Sequence, residues 1–220
     1  MFDEIMGRDT EKAIVKAALH ASNPVHILLH GPPGDGKTTF LRAIEKQYPG
    51  STLFLNFTRT SGPGALNEVI RHRKTLKYLV IDEIMDADKP TRAMLLDLME
   101  NGRITYTLRN EKVDMTGLRI WVFGTCNDIT KVKRNQPQFL DRMQVIPMRA
   151  YELDEYFRVA TFRLTREGVT AEIADYIANA MYHLHGSTDL RECVRVARMA
   201  KTQNDVDNLV RNLEDLGPSL

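Results

Sequence analysis

The sequence predicts an α/β protein in two parts: a parallel, doubly wound sheet over residues 1–150, then a small all-helical domain over residues 151–220. Three observations predict it. Short apolar runs alternate with segments whose apolar residues recur at helical spacing, the pattern of strands joined by crossover helices. A glycine-rich loop sits between one such run and one such segment, at residues 30–39. From about Ala150 onward only helical patterns remain.

The elements follow in order. Residues 10–21 read as a helix with Ala13, Ile14, Ala17 and Ala18 on one face, preceded by Ile5-Met6-Gly7-Arg8. Residues 24–30 form an apolar strand, and Phe40, Leu41 and Ile44 mark the helix after the loop. Residues 52–56 read as a second strand, 57–64 as a turn-rich loop and 65–74 as a helix. Residues 77–83 are apolar on both faces until the carboxyl end, as in a central parallel strand. Residues 88–101 are helical: Asp88 can cap them, Pro90 suits the first turn and Gly102 ends them. Alternation from Arg103 to Met115 around the polar Arg109-Asn110-Glu111 predicts a β-hairpin. An apolar strand over 118–125 runs into Cys126-Asn127-Asp128. A basic, Gln/Asn-rich loop then leads to a short helix ending at Arg142 and a last strand over 144–148. Helices over 153–164, 171–184, 189–200 and 205–216 complete the chain, and Gly217-Pro218 stops the last one.

A length of 220 residues suits one standard α/β domain and a small appendage. With 43% hydrophobic residues a core is available and a disordered chain is excluded. A net charge of +1 gives no whole-chain argument for nucleic acid or membrane, so any such surface is local. No apolar run is long enough to span a bilayer, and the N-terminus lacks a signal-peptide pattern. Cys126 and Cys193 are the only cysteines, and neither has metal-ligand spacing. They read as reduced core thiols of a cytoplasmic protein without a membrane partner. His26, His30, His72, His183 and His185 have no metal-binding spacing and read as structural or exposed.

The loop Gly31-Pro32-Pro33-Gly34-Asp35-Gly36-Lys37-Thr38-Thr39 matches the phosphate-binding pattern G-x-x-x-x-G-K-[ST] in its required strand–loop–helix context. Its glycines permit backbone torsions that turn successive N–H groups toward a polyphosphate. The following helix adds orphan N–H groups and the positive end of its dipole. Lys37 brings a charge to the β- and γ-phosphates, and Thr38 offers a hydroxyl to Mg²⁺.

Asp82 and Glu83 end the central strand. A phosphate site needs a carboxylate to hold Mg²⁺, which suits Asp82, and hydrolysis needs a base for the attacking water, which suits Glu83. Asn127, at the end of the strand expected beside Asp82, can hydrogen-bond the γ-phosphate and position that water; Thr125 is the alternative. Arg142, between a short helix and a strand, can reach a neighbouring subunit's nucleotide as an arginine finger. Arg191, opening the third helix of the C-terminal part, can reach the γ-phosphate, with Arg195 one turn later as the alternative.

With these residues in place the chain resembles the AAA+ ATPases over nearly its whole length, and within them is most similar to the RuvB branch, motors of Holliday-junction branch migration. The echoes are His26-Ile27-Leu28-Leu29-His30-Gly31-Pro32-Pro33-Gly34, Thr60-Ser61-Gly62-Pro63, Asp82-Glu83-Ile84, Met99-Glu100-Asn101-Gly102-Arg103-Ile104 and Leu140-Asp141-Arg142. The resemblance implies Walker A at the loop, Walker B ending at Asp82-Glu83, sensor 1 at Asn127 behind a presensor hairpin, a finger at Arg142, sensor 2 at Arg191 and a helical lid. It implies ATP/ADP and Mg²⁺ as cofactors, Ile5 and Met6 against the adenine, and a ring of identical subunits. It implies action on DNA, or on a partner protein gripped by the hairpin from Arg103 to Met115, as in MoxR-type relatives; a nucleotide switch is a third outcome. Arg59, Arg71, Arg73, Lys74, Lys77, Lys131, Lys133 and Arg134 are candidate phosphate contacts on DNA. Three features depart from RuvB: only Gly217-Pro218-Ser219-Leu220 remain after the expected lid, where RuvB usually carries a winged-helix domain; the expected sensor 1 is Asn, where RuvB tends to have Thr; and Thr188-Asp189-Leu190-Arg191 replaces Gly-Thr-Pro-Arg.

Overall fold

The computed structural model describes residues 1–57, 62–108 and 111–215. These separate into two compact units, one of residues 1–32 and 36–149, the other of residues 33–35 and 150–220.

The first unit is built on strands β1 (His26–His30), β2 (Thr52–Asn56), β3 (Tyr78–Asp82), β4 (Ile104–Leu108), β5 (Glu111–Met115), β6 (Trp121–Cys126) and β7 (Met143–Pro147). Five of them form one sheet in the order β2-β3-β6-β1-β7, and every pairing in it is parallel. β4 and β5 pair antiparallel as a separate ribbon. Parallel neighbours need crossovers, and α1 (Asp9–Leu19), α2 (Lys37–Gln47), α3 (Gly62–His72), α4 (Lys89–Asn101), α5 (Ile129–Asn135) and α6 (Pro137–Arg142) supply the helices around the sheet.

Strand periodicity splits the core in two. Leu28, Leu79, Ile81 and Val122 face a layer containing Val69 of α3 and Leu95 and Leu98 of α4. Their neighbours Ile27, Leu29, Val80 and Phe123 face Val15 and Leu19 of α1 and Phe40, Leu41 and Ile44 of α2. Every residue of β6 is buried, which explains an apolar run without alternation. His26 pins the start of β1. Its Nδ1 accepts from the Val122 N–H at 3.1 Å, which leaves Nε2 to donate to the Met99 carbonyl at 3.2 Å. Burial holds the ring neutral by lowering its pKa.

Several local expectations need correction. The basic stretch before Pro137 is not a loop but helix α5, because Asp128 caps it by accepting from Thr130 N at 2.8 Å. The strand expected from Leu118 begins only at Trp121: the Leu118 N–H is committed to Gly102 O at 2.8 Å, tying that segment to the end of α4. The strand expected to run through Glu83 stops at Asp82, and a 3₁₀ turn follows at Ile84–Asp86. Thr60, Ser61 and the hairpin tip at Arg109-Asn110 lie outside the described residues.

The second unit packs α7 (Leu153–Thr165), α8 (Ala171–His183), α9 (Leu190–Met199) and α10 (Gln203–Asp215). Tyr156, Ile177, Met181, Cys193, Val196, Val206 and Val210 fill its core. The Cys193 thiol is pushed up to about 11, chiefly by burial. Among the described residues no helix is long and apolar enough to cross a membrane.

Candidate active site

The carboxyl ends of β1, β3 and β6 lie side by side in the sheet order, so the residues that follow each strand meet at one edge. This is where open parallel sheets present ligand sites.

After β1 the chain turns through the glycine-rich loop. Gly31 has no room for a side chain: a Cβ there would lie 2.3 Å from the Met148 carbonyl oxygen. Gly34 and Gly36 take φ of 94° and 86°, left-handed values that other residues resist. Gly36 precedes α2 without any side-chain cap, so a ligand can satisfy the first amides of the helix. Lys37 is buried, and its Nζ donates across the loop to Gly31 O at 2.7 Å and Pro32 O at 2.6 Å.

After β3 the two carboxylates part. Asp82 Oδ1 accepts from the Thr38 hydroxyl at 2.9 Å and the Thr125 hydroxyl at 2.8 Å, while Asn56 Nδ2 approaches Oδ2 at 3.4 Å. Glu83 adopts φ 52°, ψ 59°, a left-handed conformation that costs an L-residue with a long side chain roughly 1–2 kcal/mol. Its backbone N–H donates to Thr125 Oγ1 at 2.9 Å, and its Oε1 accepts from Asn127 Nδ2 at 2.7 Å. Burial and the neighbouring Asp82 charge raise the Glu83 carboxyl above the usual carboxylate range; Lys37 and Asn127 offset part of that.

These residues fit a polyphosphate and its magnesium. The fit rests on a side-chain-free cradle at Gly31, an uncapped helix start, and a hydroxyl and a carboxylate already 2.9 Å apart. Mg²⁺ keeps several waters and takes one or two protein oxygens together with phosphate oxygens. No cluster of three or more His, Cys, Asp or Glu suited to a metal occurs among the described residues.

Thr125 is the residue whose place the sequence concealed. It is fully buried, and its hydroxyl is used by Asp82 and the Glu83 backbone. Of the two sensor candidates, Thr125 is thus committed within the sheet, while Asn127 meets the Glu83 carboxylate. Thr125→Val should leave the Glu83 N–H unpaired, costing about 1–3 kcal/mol of stability, and should lower any turnover that depends on Glu83. Thr125→Ser should restore both. Denaturation midpoints and turnover of the two variants check this; wild-type turnover in Thr125→Val would mean that Glu83 holds its conformation without the hydroxyl. Cys126, at the end of β6, is held protonated, pushed up to about 12 by burial and then by Glu83.

The remaining candidates each have partners within their own unit. Arg142 ends α6 and is held by Glu100 of α4 and the Gln138 carbonyl. Within the helical unit, Arg191 at the start of α9 is clamped by Asp189, with Nη2 to Oδ2 at 2.7 Å, and Arg195 pairs with Glu192. Ile5 is buried in the core with Phe2 and Phe40, and Met6 is exposed. Of the basic residues, Arg71 pairs with Glu68 at 2.8 Å, and Lys77 Nζ lies 5.1 Å above the Tyr78 ring. Arg59 lies outside the described residues.

The RuvB proteins resemble this chain in sequence and in fold. The Holliday junction branch migration complex subunit RuvB of Ehrlichia ruminantium is 33% identical over 111 residues, which covers 46% of this chain and 32% of that protein. RuvB of Rippkaea orientalis is 27% identical over 185 residues, covering 80% of this chain and 51% of the relative. The chain thus spans about a third to a half of the curated relatives' length. The solved Thermotoga maritima RuvB Holliday junction branch migration motor superposes with a TM-score of 0.65 at 16% identity, covering 94% of this chain and 70% of that one. Residues 27–148, more than half of the chain, match the family described as ATPase family associated with various cellular activities, and the chain belongs to that AAA family.

Proposed function

We propose that this chain is an ATP-hydrolysing motor that works as a ring of identical subunits and acts on DNA in the cytoplasm. The observation that carries the hydrolytic reading is the cluster at Asp82: one carboxylate shared by the loop hydroxyl of Thr38 and by Thr125, with Glu83 turned aside next to it. Mg²⁺ and ATP, when bound, supply the metal charge and the phosphorus that water attacks. The chain does the rest. The loop amides and Lys37 hold the phosphates, with Lys37 exchanging its two carbonyl partners for phosphate oxygens. Thr38 and Asp82 hold the magnesium. Glu83 takes a proton from the attacking water on a carboxylate oxygen, and Asn127, bonded to that carboxylate, holds both in line. Arg142 from an adjacent subunit and Arg191 of the same chain add positive charge where the transition state gains negative charge. Ile5 and Met6 flank the base.

The likeness to RuvB, a Holliday junction branch migration subunit in those relatives, supports DNA as the client. The separate β4–β5 ribbon favours a second reading, a protein-remodelling ATPase that grips its partner with the hairpin. Magnesium-dependent ATP turnover, measured without nucleic acid and with duplex, forked, four-way and single-stranded DNA across a salt series, separates the two. The DNA motor predicts stimulation that falls steeply with salt, because each phosphate contact releases counterions. A response flat across all DNA forms would assign the client to protein, and absence of turnover under every condition would reject the motor.

A further inference from the structure

We propose that Glu100 is a positioning residue for Arg142, holding its guanidinium in the orientation that a neighbouring subunit's phosphates require. The inference rests on the reading of Arg142 as a finger acting between subunits.

The frame around Glu100 is rigid. It lies in the last turn of α4, which Gly102 closes at φ 59° with its N–H on Leu98 O at 3.0 Å. Met99, just before it, is tied to the sheet through His26. Gly102, just after it, lies so close to Leu118 that a Cβ would come 2.5 Å from the Leu118 carbonyl oxygen. At the hairpin root, Arg103 meets Asp114 side-on, at 3.1 Å from Nε and 2.7 Å from Nη2. The helix end thus has fixed backbone on both sides.

From that frame one oxygen of Glu100, Oε2, accepts from both Nε (3.2 Å) and Nη2 of Arg142. On the other side Nη1 donates to Gln138 O at 3.0 Å. A guanidinium has five N–H groups in a planar fork. Three are engaged among the described residues, which leaves one donor on each terminal nitrogen. That pair of donors matches two oxygens of a phosphate. Without Glu100, the Gln138 carbonyl alone among the described residues would hold the arginine, and the fork could turn about its long stem. The Glu100 side chain is 54% exposed and that of Arg142 23%, so the pair is open to an approaching partner and adds little to stability.

The test uses the whole chain with ATP, Mg²⁺ and four variants built from three substitutions. Glu100→Ala should lower kcat by about tenfold to a hundredfold, the size of effect that a misplaced reacting group produces, with nucleotide affinity and thermal midpoint unchanged. Glu100→Gln keeps an acceptor oxygen for Nε and should retain most of the activity. Arg142→Ala and the double variant Glu100→Ala/Arg142→Ala should turn over equally slowly, because Glu100 acts only through the arginine. Additive losses, or a Glu100→Ala protein as fast as wild type or faster beside a slow Arg142→Ala, would overturn the positioning role and leave the finger standing. A fully active Arg142→Ala would instead remove the finger and this inference with it.

Discussion

Glu83→Gln is expected to abolish ATP turnover while leaving nucleotide binding intact. The amide keeps the shape of the side chain and can still meet Asn127, but it cannot take a proton from water. Removing a general base costs about 10²–10⁴ in rate. In the proposed mechanism the phosphate grip depends on the loop, Lys37, Thr38 and Asp82, which this substitution leaves in place. The pH dependence gives an independent reading. Burial and the Asp82 charge raise the Glu83 carboxyl above its ordinary value of 4.5. Glu83 works only when ionised, so turnover should fall as pH drops through that raised value, at a higher pH than an ordinary carboxylate gives. Initial rates across a pH series, beside equilibrium nucleotide binding, check both points. Hydrolysis retained in Glu83→Gln would assign the base elsewhere.

Arg142→Ala is expected to lose about 10³–10⁵ of the rate, the range measured for arginine fingers, and to recover part of it when mixed with Lys37→Ala. Each variant alone is expected to be inactive, for a different reason. The first has an intact phosphate site but offers its neighbour no finger; the second offers a finger but cannot hold the phosphates. A mixed ring therefore contains sites with an intact loop on one side and an arginine on the other. Turnover across mixing ratios should pass through a maximum between the two inactive ends. A mixture as inactive as its parts would place the arginine's action within its own chain.

Much of the first unit was legible in the residue order. β3 read as a central parallel strand because both faces of such a sheet are covered, and it is buried up to Asp82; β1 and β6 read as apolar strands and are buried almost throughout. Helix α4 was bounded almost to the residue because its signals are local: Asp88 accepts from Thr91 N at 2.9 Å, Pro90 sits in the first turn, and Gly102 closes the end. The basic stretch before Pro137 misled because charge and amides suggest a loop, whereas one capping carboxylate, Asp128, suffices to start α5. Strand ends were less legible, since Glu83 leaves β3 through a backbone torsion that its residue type disfavours. In that conformation its N–H meets the Thr125 hydroxyl of β6 at 2.9 Å, a partner from another strand.

The residue order alone determined the glycine-rich loop, the paired carboxylates, the parallel sheet and the change to helices near Ala150. Each is written in contiguous residues whose torsional preferences and apolar spacing act over a few positions. Tertiary structure decided which side chains hold those groups. Thr125 reaches Glu83 and Glu100 reaches Arg142 across 42 residues in each case, and His26 reaches Met99 across 73. The physical reason is that a hydrogen bond is set by distance and angle in space, and those contacts arise only once strand register and crossover helices have brought distant segments together.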